Sequence, residues 1–290
     1  TIALGGGIET TLNPKTVEIV WINDAVKDDF VLETASEVDG ITRGRIVEGK
    51  VLFRVIGARD SIGNVIKSDK SLHSEGNVLL GVRDEDGNML WTWHIWITDK
   101  PQKQNYTRGY IALDRNLGAT AAAPEGDSSI GMYGLFYQWG RPTPFQLYQD
   151  SIGNWKVRAK DSQTRVIPDV AVANPGIFYG SLHNHDGLKV HDWVDRTLFQ
   201  NINNLWGYRE VEHSQPVKTI YDPCPVGYHV PYHRSWELME EFWNKPEGFD
   251  KNKVEVWKGL KGIEFIIEGN SIWYPLQGYI NINGEYKHGH

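Results

Sequence analysis

The side chains with the most chemistry in one place lie in SLHNHDGLKVHDW, where His183, His185, Asp186, His191 and Asp192 fall within ten positions. Imidazole nitrogens and carboxylate oxygens suit zinc or a similar divalent ion, and a loop can wrap one. The competing reading is a solvated loop that carries several histidines. The cluster has neither the i, i+4 spacing of ligands on one helix face nor a cysteine, and calcium would want carboxylates and carbonyls more than imidazoles. The expectation is a loop ordered without metal. His183, His185, Asp186 and His191 are the ligands to test if an ion binds, and no cofactor is expected.

A second constellation is aromatic. The chain carries 12 Trp and 13 Tyr in 290 residues. Large aromatics supply the greatest burial per residue, so much of this set belongs to cores. Trp139, Trp155, Trp193, Trp206 and Trp257 lie near loops, however. Tryptophan beside Asp, Asn and Arg is the chemistry of a sugar-binding cleft, with the ring stacking on a sugar face and the polar groups taking its hydroxyls. The candidate ligand contacts are Trp139, Arg141, Trp155, Asp186, Trp193 and Trp206.

Other reactive-looking groups read as structural. Asp114 and Arg115 stand beside Asn116 in DRNLGAT, where an Asp–Arg pair next to a glycine turn pins a loop to a sheet. Cys224 sits between Pro223 and Pro225 with no base beside it in sequence, so it reads as a buried small hydrophobe. Glu237 and Glu241 form an i, i+4 strip on a solvated helix face, so they do not read as a catalytic carboxylate pair. The chain contains no HExxH, GxSxG, Walker or GxGxxG phrase in context. It is expected not to be an enzyme.

The elements that must position these residues change character along the chain. The first hundred residues contain short extended runs rich in β-branched and aromatic residues: TVEIVWI, FVLETAS, KVLFRVIG, NVLLGVRD and MLWTWHIWIT. The last two are joined by EDGN, a hairpin turn with glycine where positive φ is needed. In the final strand Trp91, Trp93 and Ile95 share one face, and Leu90, Thr92, His94 and Trp96 share the other. Both faces are apolar enough to be covered. An antiparallel β-sandwich of immunoglobulin-like size accommodates these strands. The polar segment TDKPQKQNYTRG places a boundary after about residue 100. Beyond it come glycine-rich loops and one clear helix, SWELMEEFWNKPEG, with Trp236, Met239, Phe242 and Trp243 on one face and Pro246 as its stop.

Composition bounds the partners. With 40% hydrophobic and 23% charged residues the chain is globular. A formal net charge of −7 without a basic block argues against nucleic acid. No run approaches the ~18 apolar residues of a membrane-spanning helix, and TIALGGGIET has no signal-peptide pattern. The single cysteine cannot form an internal disulfide.

Several phrases together resemble a known family: GNVLLGVRDEDGNMLWTWHIWITD, IALDRNLGAT, GLFYQWGRPTPF and KTIYDPCPVGYHVP, in that order. They are similar to the C-terminal domain of large Bacteroidetes surface proteins, related to the Fibrobacter succinogenes major paralogous domain, from about Gly76 onward. The resemblance implies a β-rich protein of two domains. Residues 1–100 would form a fimbrillin-like, immunoglobulin-like sandwich. Residues 101–290 would form a loop-rich α+β domain like that of C-type lectins or sulfatase-modifying factors, with one helix after the CPVGYHVP phrase.

The resemblance also implies a cell-surface adhesin or fimbrial tip subunit. Its partners would be a glycan, a host or bacterial surface protein, or other fimbrial or surface subunits, and its outer-membrane attachment would lie outside these residues. An alternative is a structural subunit joined by strand addition. Asp192-Trp193 and Leu205-Trp206-Gly207 also fit the family's scaffold pattern. Tyr232 departs from it, since a helix-capping Thr or Ser is usual there. Family members carry further strands beyond WYPLQGYININGEYKHGH, so the second domain is expected to be incomplete at its C-terminus, with an incompletely paired sheet edge beside Ser271–Ile282.

Overall fold

In a computed structural model, the described residues are 2–4, 8–10, 12–56, 74–105, 111–122, 130–160, 165–180, 183–185, 188–190, 193–195, 197–198, 205–207, 218–231, 255–257, 260–267 and 270–287. They are β-rich. Helix among them is limited to one α-helix, Pro168–Ala173, and the 3-10 turns Asp24–Val26 and Ile130–Met132. The helix expected after CPVGYHVP lies outside the described residues. No helix among the described residues is long and apolar enough to cross a membrane. Contacts group the chain into two units. One is Thr1–Ile97 with Phe136–His229 and Ile280–Tyr286, and the other is Thr98–Leu135 with Val230–Tyr279 and Lys287–His290.

The first unit is built on a five-stranded antiparallel sheet in the order Ser36–Val38, Ile41–Arg45, Thr16–Ile22, Gly76–Arg83, Met89–Ile97. The expected hairpin is present. Val78 pairs with Ile95, Leu80 with Trp93 and Val82 with Trp91. Its turn runs from Asp84 to Asn88. The Asp84 carboxylate accepts from the Asn88 backbone N–H at 2.8 Å, and Gly87 takes a φ of +84°.

One face of this sheet carries Val17, Val78, Leu80 and Val82, which pack with Val26, Phe30 and Leu32 into a core. Phe30 and Leu32 belong to a two-stranded antiparallel pair, Phe30–Leu32 with Phe53–Val55. The sheet and the pair thus form the two layers of a sandwich. Phe53 stacks on Phe30 at 5.2 Å. Each buried aliphatic or aromatic side chain of this kind contributes roughly 1.5–3 kcal/mol. Trp91, Trp93 and Ile95 pack against the same core, as their alternation implies. Leu90 packs there too, although alternation puts it on the reverse face. The register skips between Val82 and Arg83, so Leu90 is the extra residue of a bulge, and a bulge re-aims one side chain.

The reverse face is also covered. Glu18 is 5% exposed there and is held by Arg43 at 3.1 Å and Arg83 at 2.7 Å. Burial pushes its carboxyl up, but the Arg83 and Arg43 hydrogen bonds outweigh this and hold it below the usual range. Thr92 shares a 2.8 Å hydroxyl–hydroxyl bond with Thr143, and His94 bonds Tyr137. The segment from Tyr137 to Thr143 is therefore stitched to this face by side-chain hydrogen bonds and not by strand pairing. The rest of that region is short paired segments such as Phe136–Tyr137 with Pro144–Phe145, and Tyr148–Gln149 with Trp155–Lys156.

In the second unit, Arg115 is 5% exposed at its side chain and gathers its own neighbourhood. It donates to Asp114 at 2.9 Å, Asp99 at 2.6 Å and the Thr120 carbonyl at 3.1 Å. This is the loop-pinning role its sequence context suggests. Gln277 reaches the Gly134 backbone N–H at 2.9 Å, and the Tyr274 hydroxyl donates to the Leu113 carbonyl at 3.2 Å. These bonds tie the end of a three-stranded antiparallel sheet, Glu255–Trp257, Leu260–Ile267 and Asn270–Pro275, and the residues just after it to Leu113 and Gly134 of the same unit.

Candidate functional site

The centre of the loop-rich part of the first unit is Arg141. Its side chain is buried, 2% exposed, and no carboxylate faces it among the described hydrogen bonds. The guanidinium donates to the carbonyls of Ile177 at 2.5 Å, Ala171 at 2.8 Å and Asn174 at 3.2 Å, and to Gln138 Oε1 at 3.3 Å. Its carbon sits 4.9 Å from the Phe145 ring centre, 5.7 Å from Tyr179 and 5.8 Å from Trp193. Aromatic faces and carbonyl oxygens together take the place of a counter-ion. Burial pushes its pKa down to about 10, which still leaves it charged at neutral pH.

Two of the carbonyls that Arg141 binds, those of Ala171 and Asn174, belong to the end of the short helix Pro168–Ala173, and that of Ile177 lies in the turn just beyond it. Pro168 opens that helix at a position where its missing N–H costs nothing, and Asp169 lies in the first turn, where a negative charge is favoured. Asn174 ends it, its side chain donating to the Val170 carbonyl at 2.9 Å. Helix C-termini leave carbonyls without intrahelical partners, and the guanidinium supplies the missing donors. Sequence reasoning missed this helix because VIPDVAVANPG is too short to show periodicity. The readable signal was proline at the start with an acid in the first turn, and Asn-Pro at the end.

The turn Gln138–Arg141 is fixed from several sides. Gln138 donates to the Tyr179 carbonyl at 2.9 Å. The Trp193 indole N–H donates to the Trp139 carbonyl at 2.6 Å, and the Trp206 indole N–H donates to the Arg141 carbonyl at 3.1 Å. Gly140 has a φ of +81°, and a Cβ there would stand 2.6 Å from Leu205, so glycine is required twice over. Trp193 is 4% exposed and forms a core with Ala171, Tyr179, Val194 and Leu205. The side chain that leaves this assembly is Trp139, 41% exposed.

The structure thus brings Trp139, Arg141, Trp193 and Trp206 together, with Trp193 and Arg141 turned inward. Trp155 lies on the separate Tyr148–Lys156 hairpin and is 44% exposed. It stands opposite Gln149 on one face, whereas Tyr148 stands opposite Lys156 on the other. Asp150 fixes the hairpin loop, accepting from the backbone of Asn154 at 2.9 Å and from Lys156 at 2.9 Å. The Lys156 hydrogen bond and those backbone donors hold its carboxyl well below the usual range.

His183 and His185 lie on a strand, His183–His185, paired with Leu188–Val190. Asp186 and His191 are outside the described residues. Among the described residues no cluster of three or more His, Cys, Asp or Glu could hold a metal. Trp257 lies in the Glu255–Trp257 strand of the second unit.

No protein-family model, curated protein or solved structure matches this chain. The site must be read from its own geometry. The dent beside the turn, lined by Gly140, Arg141, Thr143, Pro168, Val172 and Trp193, leaves essentially no room for even a water molecule. Clefts that enclose small organic ligands run to roughly 300–1,000 Å³. The DPCPVG loop nearby is held by Lys218, which donates to Asp222 at 2.7 Å and to the Cys224 carbonyl at 2.8 Å. Burial, followed by the Asp222 charge, raises the Cys224 thiol well above its ordinary value, with Lys218 opposing. It is a protonated, half-buried thiol, in keeping with a packing role.

Proposed function

We propose that this chain is a non-enzymatic cell-surface binding protein, an adhesin or fimbrial tip subunit, that takes a glycan or a surface protein through loops of its 101–290 region. In this reading the five-stranded sheet and its covering pair are the immunoglobulin-like sandwich, and the loop-rich remainder is a C-type-lectin-like domain. The observation that carries it is the clamped turn Gln138–Arg141, which holds the half-exposed Trp139 ring in a fixed place. A rigid aromatic offers contact area at little cost in ordering entropy. The phrase order that resembles the Bacteroidetes surface proteins supports the location.

A structural subunit joined by strand addition is the second reading. It is favoured by the outer strand Glu255–Trp257, which has a strand neighbour on one side only among the described residues. Exposed strand edges accept a further strand. The test is a glycan-array screen of the purified chain beside a binding assay with a sister surface subunit. Binding to glycan supports the first reading. Binding to the subunit alone, with no glycan retained, replaces it with the second.

A further inference from the structure

Among the described residues, three other than glycine take a positive φ: Thr34 at +61°, Asp39 at +54° and Glu48 at +50°. Asp39 and Glu48 each precede a positive-φ glycine, Gly40 and Gly49, in turns that close the antiparallel partners Val38 with Ile41 and Val47 with Lys50. Mirror-image turns of this kind require positive φ at both central positions. Thr34 has no such turn to explain it, and a β-branched residue is poorly suited to the left-handed region. It stands where the chain leaves the strand Phe30–Leu32 of one layer and enters Ser36–Val38, an edge of the five-stranded sheet. Its hydroxyl accepts from the Arg45 backbone N–H at 3.1 Å and donates to the Arg45 carbonyl at 3.2 Å. Ser36 pairs with Arg43 and Val38 with Ile41, so Thr34 falls opposite Arg45 in the same register. One side chain there makes both bonds of a backbone rung, and alternation of bonded pairs makes Ser36 with Arg43 the next rung. Gly44 leaves room for the corner, since a Cβ on it would stand 3.0 Å from the Glu33 carbonyl oxygen.

We propose that Thr34 is a latch: its hydroxyl closes the edge strand Ser36–Val38 onto the sheet, and its release is the step by which that edge opens. The strand it holds is three residues long and all three are exposed, so no buried side chain of its own keeps it in place. The rungs must do so. One end of the strand is fixed by the Asp39-Gly40 turn, whereas the other, where the chain changes layers, has the Thr34 hydroxyl in place of a backbone rung. The left-handed backbone at Thr34 is a conformation that persists only where surrounding contacts hold it, and the two bonds to Arg45 are such contacts. The Arg43 and Arg45 rungs that the strand covers are the positions with which a further strand would pair. The latch is independent of what the chain binds.

Native-state hydrogen exchange on the full chain, read amide by amide, tests the latch with wild type, Thr34→Val and Thr34→Ser. Valine keeps the branching and removes the hydroxyl, whereas serine keeps the hydroxyl and removes the branch. In wild type the Arg43 and Arg45 amides should open together, and more readily than the Leu80 amide in the interior strand Gly76–Arg83. In Thr34→Val the Arg45 amide loses its acceptor outright. The Arg43 amide, whose own partner is untouched, should then exchange about tenfold faster, the factor that one ordinary hydrogen bond represents. Thr34→Ser should exchange as slowly as wild type at both positions. Faster exchange at Arg45 with Arg43 unchanged overturns the proposal, because the hydroxyl is then a local cap that holds no strand. Equal exchange in all three proteins also overturns it, as does a Thr34→Ser protein that behaves like Thr34→Val. If Thr34→Val fails to fold, wild type decides, and different opening free energies at Arg43 and Arg45 overturn the latch.

Discussion

Acid should weaken this protein through one histidine. His94 sits on the reverse face of the five-stranded sheet in a chain of hydrogen bonds whose proton positions can be assigned. Asn23 Oδ1 accepts from the Asn77 backbone N–H at 2.9 Å and from Asn77 Nδ2 at 3.1 Å. The Asn77 amide is thereby oriented with its oxygen toward His94 Nε2, 2.8 Å away. Nε2 carries the proton, and Nδ1 accepts from the Tyr137 hydroxyl at 2.9 Å. A second proton on Nδ1 would face that hydroxyl and force the buried tyrosine to find another acceptor. Burial pushes the imidazole down to about 4 from its ordinary 6.5.

For a group whose folded pKa is depressed, the unfolded chain binds the proton first as pH falls. The stability His94 contributes is therefore complete above about pH 6.5 and is lost as pH drops toward 4, with no further loss below. The gap is worth roughly 3 kcal/mol, of which about 2 kcal/mol is gone by pH 4.5. Carboxylates titrate in the same range, so the informative quantity is a difference. Urea unfolding of wild type and His94→Gln should be measured from pH 7.5 to 4.5. The glutamine amide can donate and accept but does not titrate. Wild type should lose about 2 kcal/mol more than the variant across this range. Parallel stability curves, or an NMR titration of His94 with a midpoint near 6.5, would refute the argument.

Three further outcomes follow from the site. Arg141→Lys keeps the charge but cannot serve the Ala171, Asn174 and Ile177 carbonyls together, so chemical denaturation should show a loss of about 2–4 kcal/mol. A loss within 0.5 kcal/mol would mean that the helix end is satisfied without it. Cys224 should react with a disulfide reagent many times more slowly in the native protein than in denaturant at pH 8, and equal rates would contradict its raised thiol pKa. Zinc should leave the melting temperature unchanged; a rise of several degrees that a chelator reverses would restore the His183, His185, Asp186 and His191 metal site.

The parts of the fold that were legible in the sequence are those where a local rule acts alone. Asp86-Gly87 between two alternating runs gave the hairpin because positive φ at Gly87 is a one-residue requirement. Trp91, Trp93 and Ile95 gave the core face because side chains alternate along a strand. Leu90 escaped because a bulge is decided by the turn and the partner strand together. The Pro168–Ala173 helix escaped because six residues are too few for a period to register, and its end is satisfied by a side chain 30 or more positions upstream. The pairing of Trp193 with the Trp139 carbonyl, across more than fifty positions, leaves no local trace at all.

The same separation explains why the candidate site divides as it does. Residue type alone nominated Trp139, Arg141, Trp193 and Trp206 as equals, because each can touch a ligand. Their hydrogen bonds rank them differently. Arg141 has its Nη donors taken by protein acceptors, and Trp193 and Trp206 have their single indole donors taken by the carbonyls of Trp139 and Arg141. A donor already occupied in a dry site must give up that bond before it can serve a ligand, at a cost of about 1–3 kcal/mol. Trp139 gives up nothing, since its carbonyl is held and its ring faces water. The group of four is therefore one presented side chain and three that hold it in place.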